Sequence, residues 1–283
     1  MADAICELRS DELAVTLLPD VGARLHKIEV FGVDVLRTPA TTDRHRADPF
    51  FWGGYHQAPW CNRLDANLAV RVGTQTVTLQ SNFPDGSAIH GQVYDRPWAV
   101  ADDGTFTIRG GGAGGWPWTY TLTLRAAVDG ARLSLDYELT NTSDEPMPAG
   151  LGLHPWFRNP ALVRIPTTEV FPLNAGPMGQ SLELPTARQL PIDTDACWTD
   201  LTEPVVEVIW PDQQLAMTMS AGTEDLVVVA AHPAQVGAVA VEPQTHAPAG
   251  LRRLLDGEPH AMQWVAPGAA LRLAVSLAFR RWS

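Results

Sequence analysis

Lysine is nearly missing from this chain: Lys27 stands alone, and arginine carries the rest of the positive charge. The 20 basic residues are outnumbered by 32 acidic ones, for a net charge of -12. That balance repels a polyanion and argues against nucleic acid or an anionic membrane as partner. Cysteine is scarce as well. Cys6, Cys61 and Cys197 are far apart and odd in number, which fits neither a disulfide framework nor a CxxC metal site. Free thiols in a reducing cytoplasm are the expectation. No apolar run reaches the ~20 residues of a membrane span. The first ten residues, MADAICELRS, lack the basic start and long apolar stretch of a secretory leader. Helical periodicity is absent except for about one turn over residues 251–256. The glycine-rich run at residues 110–115 lacks the Lys and Ser/Thr of a phosphate-binding loop, so it reads as a flexible connection.

What is present is a period of two. Leu133, Leu135, Tyr137 and Leu139 alternate with Arg132, Ser134, Asp136, Glu138 and Thr140. Tyr120, Leu122 and Leu124 alternate with threonines just before, and Asp129-Gly130 between the two runs is a hairpin signal. Gly73-Thr74 marks a second hairpin. Residues 271–280 alternate as cleanly, and further strands are expected at 14–17, 25–30, 205–210, 215–219, 226–230 and 236–241. The 23 glycines and 23 prolines are spread over the whole length, and apolar residues make up 45%, enough for a sizeable core. Many half-buried antiparallel strands must pair into packed sheets. The expectation is an all-β fold, a large antiparallel β-sandwich, as one domain over residues 1–283. Residues 166–190 are poor in strand signal and read as a long loop over the surface or the site.

Polar groups fall at the ends of these strands in five places. His154 follows a small-residue stretch through Gly150 and Gly152 and precedes Pro155, Trp156 and Phe157. Proline lacks an N–H, so the strand is expected to stop there with the imidazole beside a large ring. Such a pair suits sugar binding and proton transfer; a histidine that merely caps a strand edge is the alternative. Glu242 follows an apolar strand and precedes Pro243, where burial would raise its pKa towards that of a useful base. Arg63, after Asn62, offers a fork of donors for hydroxyls, or else a salt bridge to Asp65 or another acid. His90 precedes Gly91, which allows close approach of a ligand or of backbone. Asp195 and Trp198 pair an acid with a ring, or else a solvated acid with a core anchor. An acid and a base with no metal or nucleophile fit general acid/base chemistry, and no cofactor is expected.

In this order, Asn62-Arg63, His90-Gly91, His154-Pro155-Trp156-Phe157, Asp195 to Trp198 and Glu242-Pro243 resemble the aldose 1-epimerase (galactose mutarotase-like) family along nearly the whole chain. The Gly-x-His-Pro-aromatic-Phe stretch is the most specific of them. The resemblance implies the family's large antiparallel supersandwich and an enzyme that interconverts the α and β anomers of a small-molecule sugar. It implies Glu242 as the base at the anomeric hydroxyl and His154 as the acid at the ring oxygen. His90 would stabilise charge at that oxygen, while Arg63, Asn62, Asp195, Trp156 and Trp198 would line and hold the sugar. Gly91-Gln92 stands where the family has a double glycine, Trp198 where it has Phe, and Trp156 where it often has Tyr. Three other readings stay open: a glycoside hydrolase using Asp195 and Glu242, a metal enzyme using His90, His154 and Glu242, and a non-catalytic sugar-binding protein.

Overall fold

Period-two patterning folds into two large antiparallel sheets. The computed structural model describes residues 3–174 and 181–282. The larger sheet runs Cys6–Arg9, Leu13–Leu18, Arg24–Val30, Gly54–Gln57, Gly152–Arg158, Ala238–Gln244, Val227–His232, Thr194–Trp198, Val170–Pro172, with Val33–Asp34 paired to Arg24–Val30. The second runs Ala99–Val100, Phe106–Ala113, Trp116–Asp129, Arg132–Asn141, Ala270–Arg281, Leu215–Gly222, Val205–Trp210, Leu162–Arg164. Both expected hairpins form, closed by Asp129↔Arg132 and Val72↔Gln75. Gly130 and Gly73 take left-handed φ values of 51° and 58° at the two turns, which glycine adopts without strain.

One hydrophobic cluster fills the space between the sheets. Leu17, Leu25, Leu153, Phe157 and Val239 come from one side, and Leu122, Leu135, Leu139, Leu273 and Val275 from the other. Each such side chain taken out of water stabilises the fold by roughly 1.5–3 kcal/mol. The centre of the larger sheet is buried on its other face as well, by Tyr55, Trp156, Ala238 and Ala240 and by Cys197, Val227 and Val229. Residues 238–241 therefore read as continuously apolar rather than alternating. Among the described residues no helix is long and apolar enough to cross a membrane.

Three expectations change. The strand does not stop at Pro155: it runs Gly152–Arg158, and Ala238–Gln244 likewise passes through Pro243. Trp156 N–H donates to Gly53 O, so Pro155, one residue earlier, places its missing donor on the side of Ala238–Gln244. Pairing between these strands is made at Gly152↔Gln244 and Trp156↔Ala240 and is interrupted in between. The glycine-rich stretch is no free connection, because Gly110 to Ala113 continue a strand and turn tightly into Trp116. Residues 166–190 include the strand Val170–Pro172 and a bridge from Arg188 to Val163; residues 175–180 of that expected loop lie outside the described residues. The helical turn appears as Gly250–Asp256.

Candidate active site

The gap in the ladder is where the chemistry sits. In the register of the two strands His154 faces Glu242, and His154 Nε2 lies 3.1 Å from Glu242 Oε1. The other carboxylate oxygen, Oε2, accepts hydrogen bonds from Gln57 Nε2 at 2.9 Å and Gln244 Nε2 at 2.8 Å. Gln57 lies two residues after Tyr55, and Gln244 two after Glu242, so strand alternation brings all of them to the same face. The His154 ring stacks on Tyr55 at 4.4 Å between centroids and contacts His90 edge-on at 5.0 Å.

His90 enters from a connecting loop in a left-handed conformation, φ 61°. Gly91 follows at φ 78°, where a Cβ would lie 1.9 Å from Ala58 O, so only glycine fits. His90 Nδ1 accepts the Asn62 N–H at 3.2 Å. That donor fixes the tautomer: the neutral ring carries its proton on Nε2. Asn62 Oδ1 in turn accepts the Arg63 N–H at 2.9 Å. The Arg63 guanidinium reaches Asp195 at 3.2 Å and Asp85 at 2.7 Å. It does not pair with Asp65, which is taken by Arg252 at 2.6 Å.

A cavity of about 390 Å³ collects these groups; His90, His154, Glu242, Arg63, Asn62, Asp195 and Trp156 all line it. Trp156 is fixed there by its Nε1–H donating to Phe50 O at 2.6 Å. Trp198 does not line the cavity. It sits three residues beyond Asp195, on the opposite face of the strand, fully buried in the core with its Nε1–H on Leu182 O. The expectation that it contacts sugar is corrected by that parity. Sequence reasoning missed Gln57, Gln244, Tyr55, Asp85 and His246. His246 Nε2 accepts the Cys61 N–H at 3.0 Å and so anchors the segment that presents Asn62 and Arg63. Gly150 and Gly250 leave room for its ring, since a Cβ at either would fall within 2.3 Å of it. The small residues before His154 were the available signal, but nothing in their spacing names the partner.

Burial sets the electrostatics. It pushes the Glu242 carboxyl up to about 8, with Asp195 adding to the rise and the amides of Gln57 and Gln244 working against it. Burial also holds His154 and His90 well below the ordinary histidine range. Asp195 is raised by burial, with Arg63 opposing. Below about pH 8 the His154–Glu242 pair thus holds one proton between them, able to rest on either Nε2 or Oε1. The coordinating atoms of His90, His154 and Glu242 lie within 4.8 Å of one another, close enough for a metal ion. The donor set does not suit one: a ligating His90 Nε2 would force its proton onto Nδ1, against the Asn62 N–H.

Known structures share this architecture. A GalM/aldose epimerase homologue from C. elegans superposes with a TM-score of 0.79 at 16% identity, covering 100% of each chain. A galactose mutarotase-like protein from Clostridium acetobutylicum gives 0.77 at 17%, over 99% of each chain. A galactose 1-epimerase from Lactobacillus acidophilus gives 0.73 at 16%, over 99% of this chain and 95% of that one. No curated protein matches the sequence. The family model for aldose 1-epimerase matches residues 5–258, and the chain belongs to that family.

Proposed function

We propose that this single-domain protein is an aldose 1-epimerase that interconverts the α and β anomers of a hexose or related sugar. The observation that carries the reading is the 3.1 Å contact of His154 with Glu242 inside one sugar-sized cavity. Opening a cyclic hemiacetal removes a proton from O1 and adds one to the ring oxygen, and the bond from C1 to the ring oxygen then breaks. A pair holding one proton suits this. The proton starts on His154 and passes to the ring oxygen, while Glu242 takes the proton of O1. The pair's charge state is the same before and after, so the aldehyde can rotate about C1–C2 and reclose by the reverse steps. The His90 Nε2–H is a donor for the ring oxygen as charge develops there. Arg63, Asn62 and Asp195 hold hydroxyls, and Trp156 offers a face to the ring's C–H groups.

The test is to dissolve pure α-anomers and follow optical rotation with and without protein. Anomer exchange should accelerate, and Glu242→Gln or His154→Gln should each remove about 10²–10⁴ of the acceleration while the fold survives. An unaccelerated exchange across a panel of aldoses rejects the proposal, as does full activity in either variant. A metal enzyme, against which the Asn62 N–H on His90 Nδ1 already argues, would lose its exchange in excess chelator; exchange that continues unchanged rejects it.

A further inference from the structure

Arg24 opens the strand Arg24–Val30 and is fully buried. Its Nη1–H donates to Trp52 O at 3.0 Å and its Nη2–H to Tyr94 O at 3.1 Å. Among the described residues no carboxylate pairs with it, and its Nε–H has no acceptor. A buried charge normally requires an opposite charge beside it, so a guanidinium held by two neutral carbonyls needs another reason to be there. Burial brings its pKa down only to about 10, and at neutral pH the charge remains. Both carbonyls belong to segments that build the sugar cavity. Trp52 follows Phe50 and Phe51, and Tyr94 lies four residues after His90; Phe50, Phe51 and His90 all line the cavity, whereas Arg24 does not. The chain closes tightly here. A Cβ on Gly22 would lie 2.1 Å from Tyr94 O, and one on Gly53 2.3 Å from Leu25 O. The guanidinium also lies 5.0 Å from the centroid of the Tyr55 ring, which stacks on His154 at 4.4 Å.

We infer that Arg24 is a positioning residue for the reaction: it locks the Phe50–Trp52 and His90 segments against Tyr55, and its unpaired charge keeps the proton shared by His154 and Glu242 loosely held. The inference rests on the mutarotase reading of the cavity. In that reading His154 must release a proton to the ring oxygen, and a fixed positive charge nearby makes the imidazolium a stronger acid. The Arg24 charge opposes protonation of His154, as does that of Arg63. When the pair loses its proton its net charge falls from zero to minus one, which a buried cation stabilises wherever the proton rested. The other groups facing the pair are His90, Tyr55, Cys61, Arg63 and Asp195. Those facing Arg24 are Tyr55, Tyr94, Asp95, Asp48, His45 and His56. Burial keeps these histidines, tyrosines and Cys61 neutral around pH 8. A change in rate near that pH therefore reports the pair.

The experiment measures anomer exchange by NMR from pH 6 to 10 on the intact protein and on Arg24→Lys, Arg24→Met and Arg24→Gln, with circular dichroism to follow the fold. Lysine keeps the charge, but its single ammonium cannot reproduce a fork across two carbonyls. Methionine removes charge and fork, and glutamine removes the charge while keeping a donor. All three variants should lower kcat/KM by about tenfold, because the two segments lose their common anchor. The alkaline limb should move up by about one unit in Arg24→Met and Arg24→Gln and stay in place in Arg24→Lys. A residue that only fills space would leave the limb unmoved in every variant, which overturns the inference. So does a limb that moves as far with lysine as with methionine. Collapse of both neutral variants assigns Arg24 to the fold and overturns it as well. Failure of the unsubstituted protein to accelerate exchange of any aldose overturns the parent reading instead.

Discussion

Glu242 is held by two amides on one oxygen and left open on the other. Among the described residues the amide oxygens of Gln57 and Gln244 have no hydrogen-bond partner, so both side chains are committed through their N–H groups to Oε2. Two donors on one oxygen fix the carboxylate's rotation and leave Oε1 towards His154. They also stabilise the charged form, against the burial that raises its pKa to about 8. Mutarotation by this pair needs one shared proton, so its rate should fall as pH rises through about 8, where that proton is lost. Replacing Gln57 or Gln244 by Leu removes a donor from the charged form. Hydrogen bonds to charged groups contribute about 1.5–3 kcal/mol, so the alkaline limb should move up by roughly one to two units. A pH–rate profile checks both; a limb that stays in place in both variants means the amides only fill space.

At the scale of the strand, the site depends on what the chain leaves out. Pro155 and Pro243 interrupt the ladder where His154 and Glu242 meet, and glycines make room for the groups behind them. A Cβ on Gly152 would lie 2.8 Å from Gln57 Oε1 and 2.9 Å from Cys61 Sγ. Gly152→Ala should therefore push Gln57 off Glu242. A misplacement of about 1 Å in a catalytic group can cost ~10² in rate, and the alkaline limb should shift as in the Gln57 variant. An alanine variant with wild-type rate and pH profile would show that Gln57 tolerates the methyl group. Legibility followed the same division. Residues 205–210 and 271–280 alternate on a half-buried sheet, so their strands could be read within a residue at each end. Gly54–Gln57 and Thr194–Trp198 are buried on both faces and mix polar with apolar residues, so neither showed a period. The prolines were legible as punctuation but not as gaps inside a strand, because only the neighbouring strand determines which hydrogen bond is missing. The ordered motifs pointed to His154, Glu242, His90 and Arg63. The two glutamines carry no pattern of their own, since Gln57 serves a carboxylate far away in the chain and Gln244 one two positions back on its own strand.

The whole molecule buries five of its eight histidines: His45, His56, His90, His154 and His246. Burial holds His45 down to about 3 and His56 and His246 to about 4, and keeps His90 and His154 well below their usual range. The unfolded chain protonates the same side chains near 6.5. Between pH 6.5 and about 4 the unfolded state therefore binds more protons, and stability falls as pH drops. Glu242 acts in the opposite sense, because its raised pKa makes the folded form hold the extra proton between about 4.5 and 8. The five imidazoles still outnumber the carboxyls that burial raises, Glu242, Asp195 and Asp95, which leaves a net uptake on unfolding, each proton changing stability by ~1.4 kcal/mol per pH unit. A total stability of about 5–15 kcal/mol cannot absorb that for long. The protein should unfold cooperatively on acidification around pH 5, well before its surface carboxylates are neutralised. Circular dichroism against pH checks the midpoint, and the steepness should correspond to several protons. Folded protein persisting with unchanged stability at pH 4 would mean that the imidazoles take up protons in place, through openings of the site that leave the sheets intact.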